Sequence, residues 1–461
     1  MTNISQHLPE QSKTVEAIFA HYKKVGDAEP VRGYLGASII GHGCERYLWY
    51  CFRQCCKPEF SGRMYRLFET GDLEENRFVD NLRKIGCTVH DVDTPLPLAG
   101  TGDDGVIPKG SIGYAIQKTK QFEVLALGGH FAGHLDGAAI GIPEAPKTWH
   151  VLEFKTHNAK SFKDLTKKGV KESKPQHYAQ MMICMHLTGM KRALYLAVNK
   201  DTDDLHSERI CYNKAEAEQL MDRAKRVITA ISPPDRRWPR PDFYQCSWCN
   251  AKEICWGTNH KKDILGVVPD GPALPVPSLS CRQCCYATPV IDEDGALWSC
   301  RKTGCTQDSC IHYLLLPGLI TFAEPTDYGR NKEGNDFIEF TNEDGTKWIH
   351  GAGGFSSEEL MKLPANALGR PMLNSAKDLF GATVTDCGED LLHRYPKDLI
   401  VWEGPGDELP RAWRVLYNEE LLELKPIARN IEADYSVVEL EGNRIAIIYR
   451  ETATAEIRER K

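Results

Sequence analysis

Two short pieces constrain this chain most: Gly133-His134-Leu135-Asp136-Gly137 and, after a turn, Trp149-His150-Val151-Leu152-Glu153-Phe154-Lys155-Thr156. Both read as β-strands in which Asp136, Glu153 and Lys155 are charges among apolar neighbours. Side chains alternate faces along a strand, so Glu153 and Lys155 point the same way, and a hairpin brings Asp136 beside them. Two acids and a lysine then converge. Such a trio can bind Mg²⁺ or Mn²⁺ through its carboxylates while the ammonium holds or activates an attacking water, as hydrolysis of a phosphodiester requires. The bare D…ExK pattern is weakly specific, because charged strand residues usually face solvent; its surroundings sharpen it.

Upstream, Phe68 to Ile85 has helical periodicity, with Glu75 on the apolar face shared by Phe78, Leu82 and Ile85. A carboxylate on a buried stripe is costly unless paired or metal-bound. Downstream, Pro175 to Met185 reads as a helix that is apolar nearly all round with Gln180 inside it. Taken alone, Gln180 is equally an amide at a helix border.

These residues resemble the PD-(D/E)xK nuclease superfamily, in particular its RecB/Cas4-like and phage exonuclease branch (YqaJ-type viral recombinases, relatives of lambda exonuclease). The matching positions are Gly71 with Glu75, Gly133 to Gly137, Glu153-Phe154-Lys155, and Gln180 in a helix ending Thr188-Gly189 before the strand Arg192 to Asn199. The order fits an αβββαβ core, so the resemblance implies an α/β, restriction-endonuclease-like fold: a mixed central sheet flanked by helices. It further implies that Asp136, Glu153 and the carbonyl of Phe154 hold the catalytic metal, with Glu75 as a further ligand or its support. Lys155 would serve the water and Gln180 would steady the site. Relatives of the Cas4 and RecB type often carry a His in the first helix; Glu75 in its place favours the phage exonuclease type.

Cys246, Cys249 and Cys255 cluster just after this core, and Cys44 lies far upstream in Gly43-Cys44-Glu45-Arg46. Three thiolates need a fourth ligand to close a tetrahedral or cubane site, and a distant cysteine can supply it by bringing the ends of the domain together. The resemblance assigns this one-plus-three arrangement to a 4Fe–4S cluster held by Cys44, Cys246, Cys249 and Cys255. Zn²⁺ at the same thiols and unrelated buried cysteines are the alternatives, and Cys51, Cys55 or Cys56 could stand in for Cys44.

A chain of 461 residues should hold two or three domains. No apolar run approaches a membrane span and Met1 to Glu10 has no signal-peptide core, so a cytoplasmic location is expected, that of the host if the chain is phage-encoded. Seventeen cysteines in such a chain, clustered as Cys-x-x-Cys pairs, favour reduced thiols and metal sites over a secreted disulfide scaffold. A net charge of −7 argues against a protein that coats DNA over its whole surface. It leaves room for a local track: seven lysines fall between Lys155 and Lys174, among them Lys160, Lys163, Lys167, Lys168 and Lys171. They read as a solvated loop or as a phosphate-binding rim for the incoming strand.

Residues 1–265 are thus expected to form the nuclease domain, and 266–280 a Pro-rich linker. Residues 281–318 carry Cys281-x-x-Cys284, a turn at Asp292 to Gly295, and then Cys300, Cys305, Cys310 and His312. The spacing is that of a zinc ribbon, with Cys281, Cys284 and Cys300 as ligands and Cys305 preferred to Cys310 or His312 as the fourth. Residues 319–461 read as a mixed α/β module, with hairpins at Phe337 to Trp348 and around Gly442-Asn443, and a capped helix start at Ser356. The activity expected is a divalent-metal-dependent DNA exonuclease processing double-strand ends in recombination or replication. A single-strand annealing or recombination protein, or further copies of the chain, would be its partners; no membrane is implied. The competing readings are a Cas4-like end trimmer or endonuclease within a larger complex, and an inactive DNA-binding protein. Strand polarity and RNA preference are not written in the sequence.

Overall fold

The computed structural model describes residues 12–91, 122–257, 271–304, 310, 312–363, 365 and 368–369 in full, and the backbone of 116–118, 121, 305, 413–417, 420–430, 435–440, 444–449 and 454–459. The chain opens with α1 (Lys13–Asp27), β1 (Leu35–Gly36), α2 (Glu45–Phe52) and α3 (Gly62–Lys84). Strands β2 (Thr88–His90), β3 (Ile116–Lys118), β4 (Gln121–Ala126), β5 (Phe131–Leu135), β6 (Gly137–Ile140) and β7 (His150–His157) follow. Next come helices α4 (Ala159–Ser173) and α5 (Pro175–Thr188), strands β8 (Arg192–Asn199) and β9 (Leu205–Cys211), and helices α6 (Lys214–Thr229), α7 (Tyr244–Ser247) and α8 (Lys252–Trp256).

Alternation along β7 decides the layering. On its even face Leu152 and Phe154 join Leu194 and Val198 of β8 against Phe78, Val79 and Leu82 of α3, with the Phe78 and Phe154 rings stacked at 5.1 Å. On its odd face Val151 joins Ala193, Tyr195 and Ala197 against the buried run of α5 from Ala179 to Leu187. Helices therefore cover both faces of a sheet ordered β2-β6-β7-β8-β9, which is antiparallel except at β7–β8. That parallel step needs a long crossover, supplied by α4 and α5. A strand buried on both sides should be apolar throughout, which is why Glu153 and Lys155 stand out.

A second sheet runs β1-β5-β4-β3. The stretch Gly133 to Gly137, expected as one strand, divides here: β5 belongs to the second sheet, β6 to the first, and Asp136 sits at the bend between them. Gly137 makes the bend possible, because its φ of 153° and a would-be Cβ only 2.8 Å from the His90 carbonyl exclude a side chain. Helix α3 also stops sooner than its periodicity suggests. The chain turns at Ile85 and Gly86 into β2, so Ile85 leaves the apolar face and is 61% exposed.

Beyond α8, strands β10 (Ala287–Pro289), β11 (Trp298–Cys300) and β12 (Gly304–Cys305) form a small antiparallel sheet. Strands β13 (Ala323–Arg330), β14 (Asp336–Asn342) and β15 (Lys347–Gly351) form another. The one-turn helix α9 (Ser357–Leu360) starts from a Ser356/Glu359 capping box, as expected. It goes no further: the carbonyls of Leu360 and Leu363 accept from the backbone of Leu274 and Ala273. Ala273, Leu274 and Val276 are buried, so this part of the expected linker packs into the core. Strands β16 (Trp413–Tyr417), β17 (Glu420–Asn430), β18 (Tyr435–Leu440), β19 (Arg444–Tyr449) and β20 (Thr454–Glu459) form an antiparallel meander in chain order. Among the described residues, 319–461 contributes these eight strands and helix α9. No described helix is long and apolar enough to cross a membrane.

The α3 interface yields a contrast. Phe78→Ala removes a buried ring stacked on Phe154 and should lower unfolding stability by about 3 kcal/mol. Ile85→Ala should change it by less than about 0.5 kcal/mol. Urea denaturation of both variants checks this, and equal losses would contradict the assigned end of the helix.

Candidate active site

Asp136, Glu153 and Lys155 come together where the chain passes from one sheet to the other. The Lys155 ammonium lies 2.6 Å from Glu153 Oε1 and 3.9 Å from Asp136 Oδ2, and donates to the carbonyl of Phe154 at 2.8 Å. Asp136 Oδ2 is fixed in turn by the backbone N–H of Phe154 at 2.7 Å. Glu153 is 1% exposed, and apart from its ion pair neither carboxylate oxygen accepts a hydrogen bond. Buried carboxylates left like this are costly.

The electrostatics register that cost. Burial, with the nearby charge of Asp136, pushes Glu153 up to about 7 against the pull of Lys155. Glu75 on α3 is pushed up to about 8, first by burial and then by the charge of Asp136, with smaller contributions from Asp72 and Glu153. Burial pulls Lys155 down, but Glu153, Asp136 and Glu75 together hold it well above the ordinary lysine range. Three acids therefore share one ammonium. Among the described residues no group of three or more His, Cys, Asp or Glu side chains forms a ready metal cage; Lys155 stands between the carboxylates as their counter-cation. The excess of buried negative charge and the unbonded Glu153 oxygens fit a divalent cation at this point.

Gln180 is 8% exposed on α5, one turn before Cys184 on the same face. The Cys184 thiol is raised well above its ordinary value by burial and by the charges of Glu153 and Asp136, so this face of α5 looks onto the acid cluster. A second polar group escaped the sequence reading. Tyr195, in register with Glu153 on the neighbouring strand, has its hydroxyl 2.9 Å from both His157 Nε2 and His177 Nδ1, and His157 Nδ1 lies 3.0 Å from Ser161 Oγ. Burial, then the charges of Lys174 and Lys155, hold His157 down at about 4, and burial and Lys155 hold His177 at about 3, which favours the neutral rings. The signal was present in the period-two run 153, 155, 157, but Tyr195 and His177 belong to other elements. Along α4, Lys160, Lys163 and Lys167 are exposed, while Lys168 pairs with Asp164 and Lys171 with Glu216. The lysine run is thus a helix, broken at Gly169, and not a loop.

Cys44, Cys246, Cys249 and Cys255 line one small cavity of about 30 Å³ together with His42 and Tyr47. Cys51, Cys55 and Cys56 are not among its lining residues. In the expected ribbon, Cys281-x-x-Cys284 forms a turn leading into β10, and Cys300 ends β11 opposite Ala287. Cys284 is drawn down to about 6 by a hydrogen bond from Cys285 and by backbone N–H groups of Leu314, Tyr286 and Ala287. Cys300 is also lowered: Thr303 and the N–H groups of Lys302 and Thr303 outweigh its burial. Sulfurs cradled by N–H donors are suited to a thiophilic ion. Cys310 and His312 line the same larger cavity as Cys281, while the side chain of Cys305 lies outside the described residues.

No protein-family model and no curated protein matches the chain. Among solved structures, SSO0001 is similar at 13% identity and a TM-score of 0.31, over 54% of this chain and 98% of its own. LHK-Exo in complex with dAMP is similar at 16% identity and a TM-score of 0.27, over 46% of this chain and 90% of its own. LHK-Exo, an alkaline exonuclease from Laribacter hongkongensis, gives 15% and 0.25 over the same shares. Scores this low carry no inference about fold or chemistry, which rest on the geometry of this chain.

The raised carboxyls make stability depend on pH. Both folded-state values lie above the ordinary carboxylate value, so the favourable contribution is present while the groups are protonated and is lost as pH rises through about 7 and 8. Protein in EDTA should melt at progressively lower temperature from pH 6 to 8.5, and Glu75→Gln should flatten that fall. Thermal melts rising over this interval would contradict the buried acid cluster.

Proposed function

We propose that this chain is a divalent-metal-dependent DNA nuclease of the PD-(D/E)xK type, acting as an exonuclease on double-strand ends. The observation that carries the reading is the buried Glu153, whose carboxylate has the shared Lys155 ammonium at 2.6 Å as its partner, with Asp136 and Glu75 close by. Asp136 and Glu153 would hold Mg²⁺ or Mn²⁺, with Glu75 as a further ligand or support. The ion supplies charge to polarise the phosphodiester and acidify the attacking water. The Phe154 carbonyl, which accepts from the Lys155 ammonium, has a second lone pair that would face such an ion.

Lys155, whose proton affinity its three acid neighbours raise, would donate hydrogen bonds to the attacking water or to the charge that builds on the attacked phosphate. Gln180 and the Tyr195 network would steady the site from the face of α5 and the neighbouring strand. Lys160, Lys163 and Lys167 form a basic helix face that would hold phosphates of the incoming strand. We assign Cys44, Cys246, Cys249 and Cys255 to a 4Fe–4S cluster and the ribbon thiols to Zn²⁺.

With Mg²⁺, the wild type should degrade end-labelled linear duplex and spare closed circles. Asp136→Ala and Glu153→Ala should lose at least about a hundredfold in rate, and Lys155→Ala about as much with DNA affinity kept. Normal rates in Asp136→Ala would sink the reading, while circles cut as fast as linear DNA would make the enzyme an endonuclease.

Metal analysis of anaerobically purified protein should find about four irons per chain, lost in Cys249→Ala, and about one zinc that depends on Cys284. Colourless protein holding about two zincs would place Zn²⁺ at both sites.

A further inference from the structure

The segment between α6 and α8 turns large rings outward beside arginines. Trp248 is 80% exposed and Tyr244 76%, one turn apart, and Phe243 is exposed beside them. Trp238 stacks on Phe243, with ring centroids 5.7 Å apart and 19° between planes. The guanidinium of Arg237 lies 6.0 Å from the Trp238 ring centre, and that of Arg236 lies 4.4 Å from that of Trp256. Exposed apolar surface gathered in this way marks a binding surface.

Charge and ring geometry say what it binds. Arg236 is spent on the Cys255 carbonyl, at 2.7 and 3.1 Å, and Arg240 pairs with Asp242 at 3.3 Å. Arg237 and Lys252 remain as cations, with Asp235 and Glu253 as the further acids of the segment. Exposed rings on a segment that also carries Arg237 and Lys252 match a ligand that combines aromatic faces with anions, as a nucleic-acid strand does. Duplex bases are already stacked on one another; only unpaired bases can offer their faces.

We infer that Trp248, Tyr244 and Phe243, with Arg237, form a stacking platform for unpaired bases of single-stranded DNA. The choice of DNA rests on the nuclease reading above. Arg237, and Trp238 on which Phe243 stacks, line the thiol cavity together with the four cysteines.

The test is fluorescence anisotropy of a labelled 20-nucleotide oligo(dT) in EDTA, with a blunt duplex of the same length beside it, on full-length protein. The double variant Trp248→Ala/Tyr244→Ala should bind oligo(dT) at least about tenfold more weakly, in line with the cost of losing base–aromatic stacks, and duplex unchanged. Trp248→Phe keeps a stacking face and should stay within about threefold of wild type, which separates stacking from any loss of fold. Unchanged oligo(dT) binding in the double variant overturns the platform, as does an equal loss for oligo(dT) and duplex. Cleavage of linear duplex by the same wild-type preparation keeps the two claims apart. A wild type that cleaves, paired with a double variant that binds normally, rejects the platform alone; a wild type that neither binds nor cleaves rejects the nuclease reading with it.

Discussion

One ammonium against two carboxylates, inside a sheet covered on both faces, sets the terms for the rest of this molecule. Lys155 neutralises part of the charge of Glu153 and Asp136. A protein interior tolerates such an imbalance only where something repays it. The fold holds the three groups in place by means that do not involve their charges. The Phe78–Phe154 stack pins the opposite face of β7, the parallel register with β8 sets Tyr195 beside Glu153, and Gly137 lets the chain bend at Asp136. The site is thus built on strands, whose positions are the least adjustable in the domain.

The ends of this core are fastened by more than thiols. Arg46 donates to the Pro234 carbonyl at 2.9 Å, and Trp49 and Arg53 both reach the Ala230 carbonyl at 3.0 Å. Arg223 on α6 donates to the carbonyls of Ile40 and His42, at 3.0 and 2.6 Å. These bonds join the segment around Cys44 to the segment that leads to Cys246, and so bring the four cysteines to one cavity. Any metal there would tighten a clasp that hydrogen bonds have already closed.

Much of this was legible in the sequence because local pattern and tertiary role agree. The apolar run from Ala179 to Thr188 with Gly189 after it gives a buried helix ending in a left-handed residue, and Arg192 to Asn199 is the strand that its apolar run announces. The bend at Asp136 was not legible, because a strand's pattern does not say which sheet its two halves join. Ile85 kept the helical period, but Gly86 diverted the chain first. The Tyr195, His157 and His177 group draws on three elements, so no spacing along the chain could show it. The Ser356 capping box announced the start of α9, but a capping box does not say how long its helix runs.

Whether the buried acids form a cation site can be asked without any nucleic acid. Titration of Mn²⁺ into wild type and Glu153→Gln, following the electron paramagnetic resonance signal of the free ion, addresses the cluster directly. The wild type should take up about one Mn²⁺ per chain at the acids, and Glu153→Gln should lose that uptake. Equal uptake by the two proteins, or none by the wild type, would contradict the account.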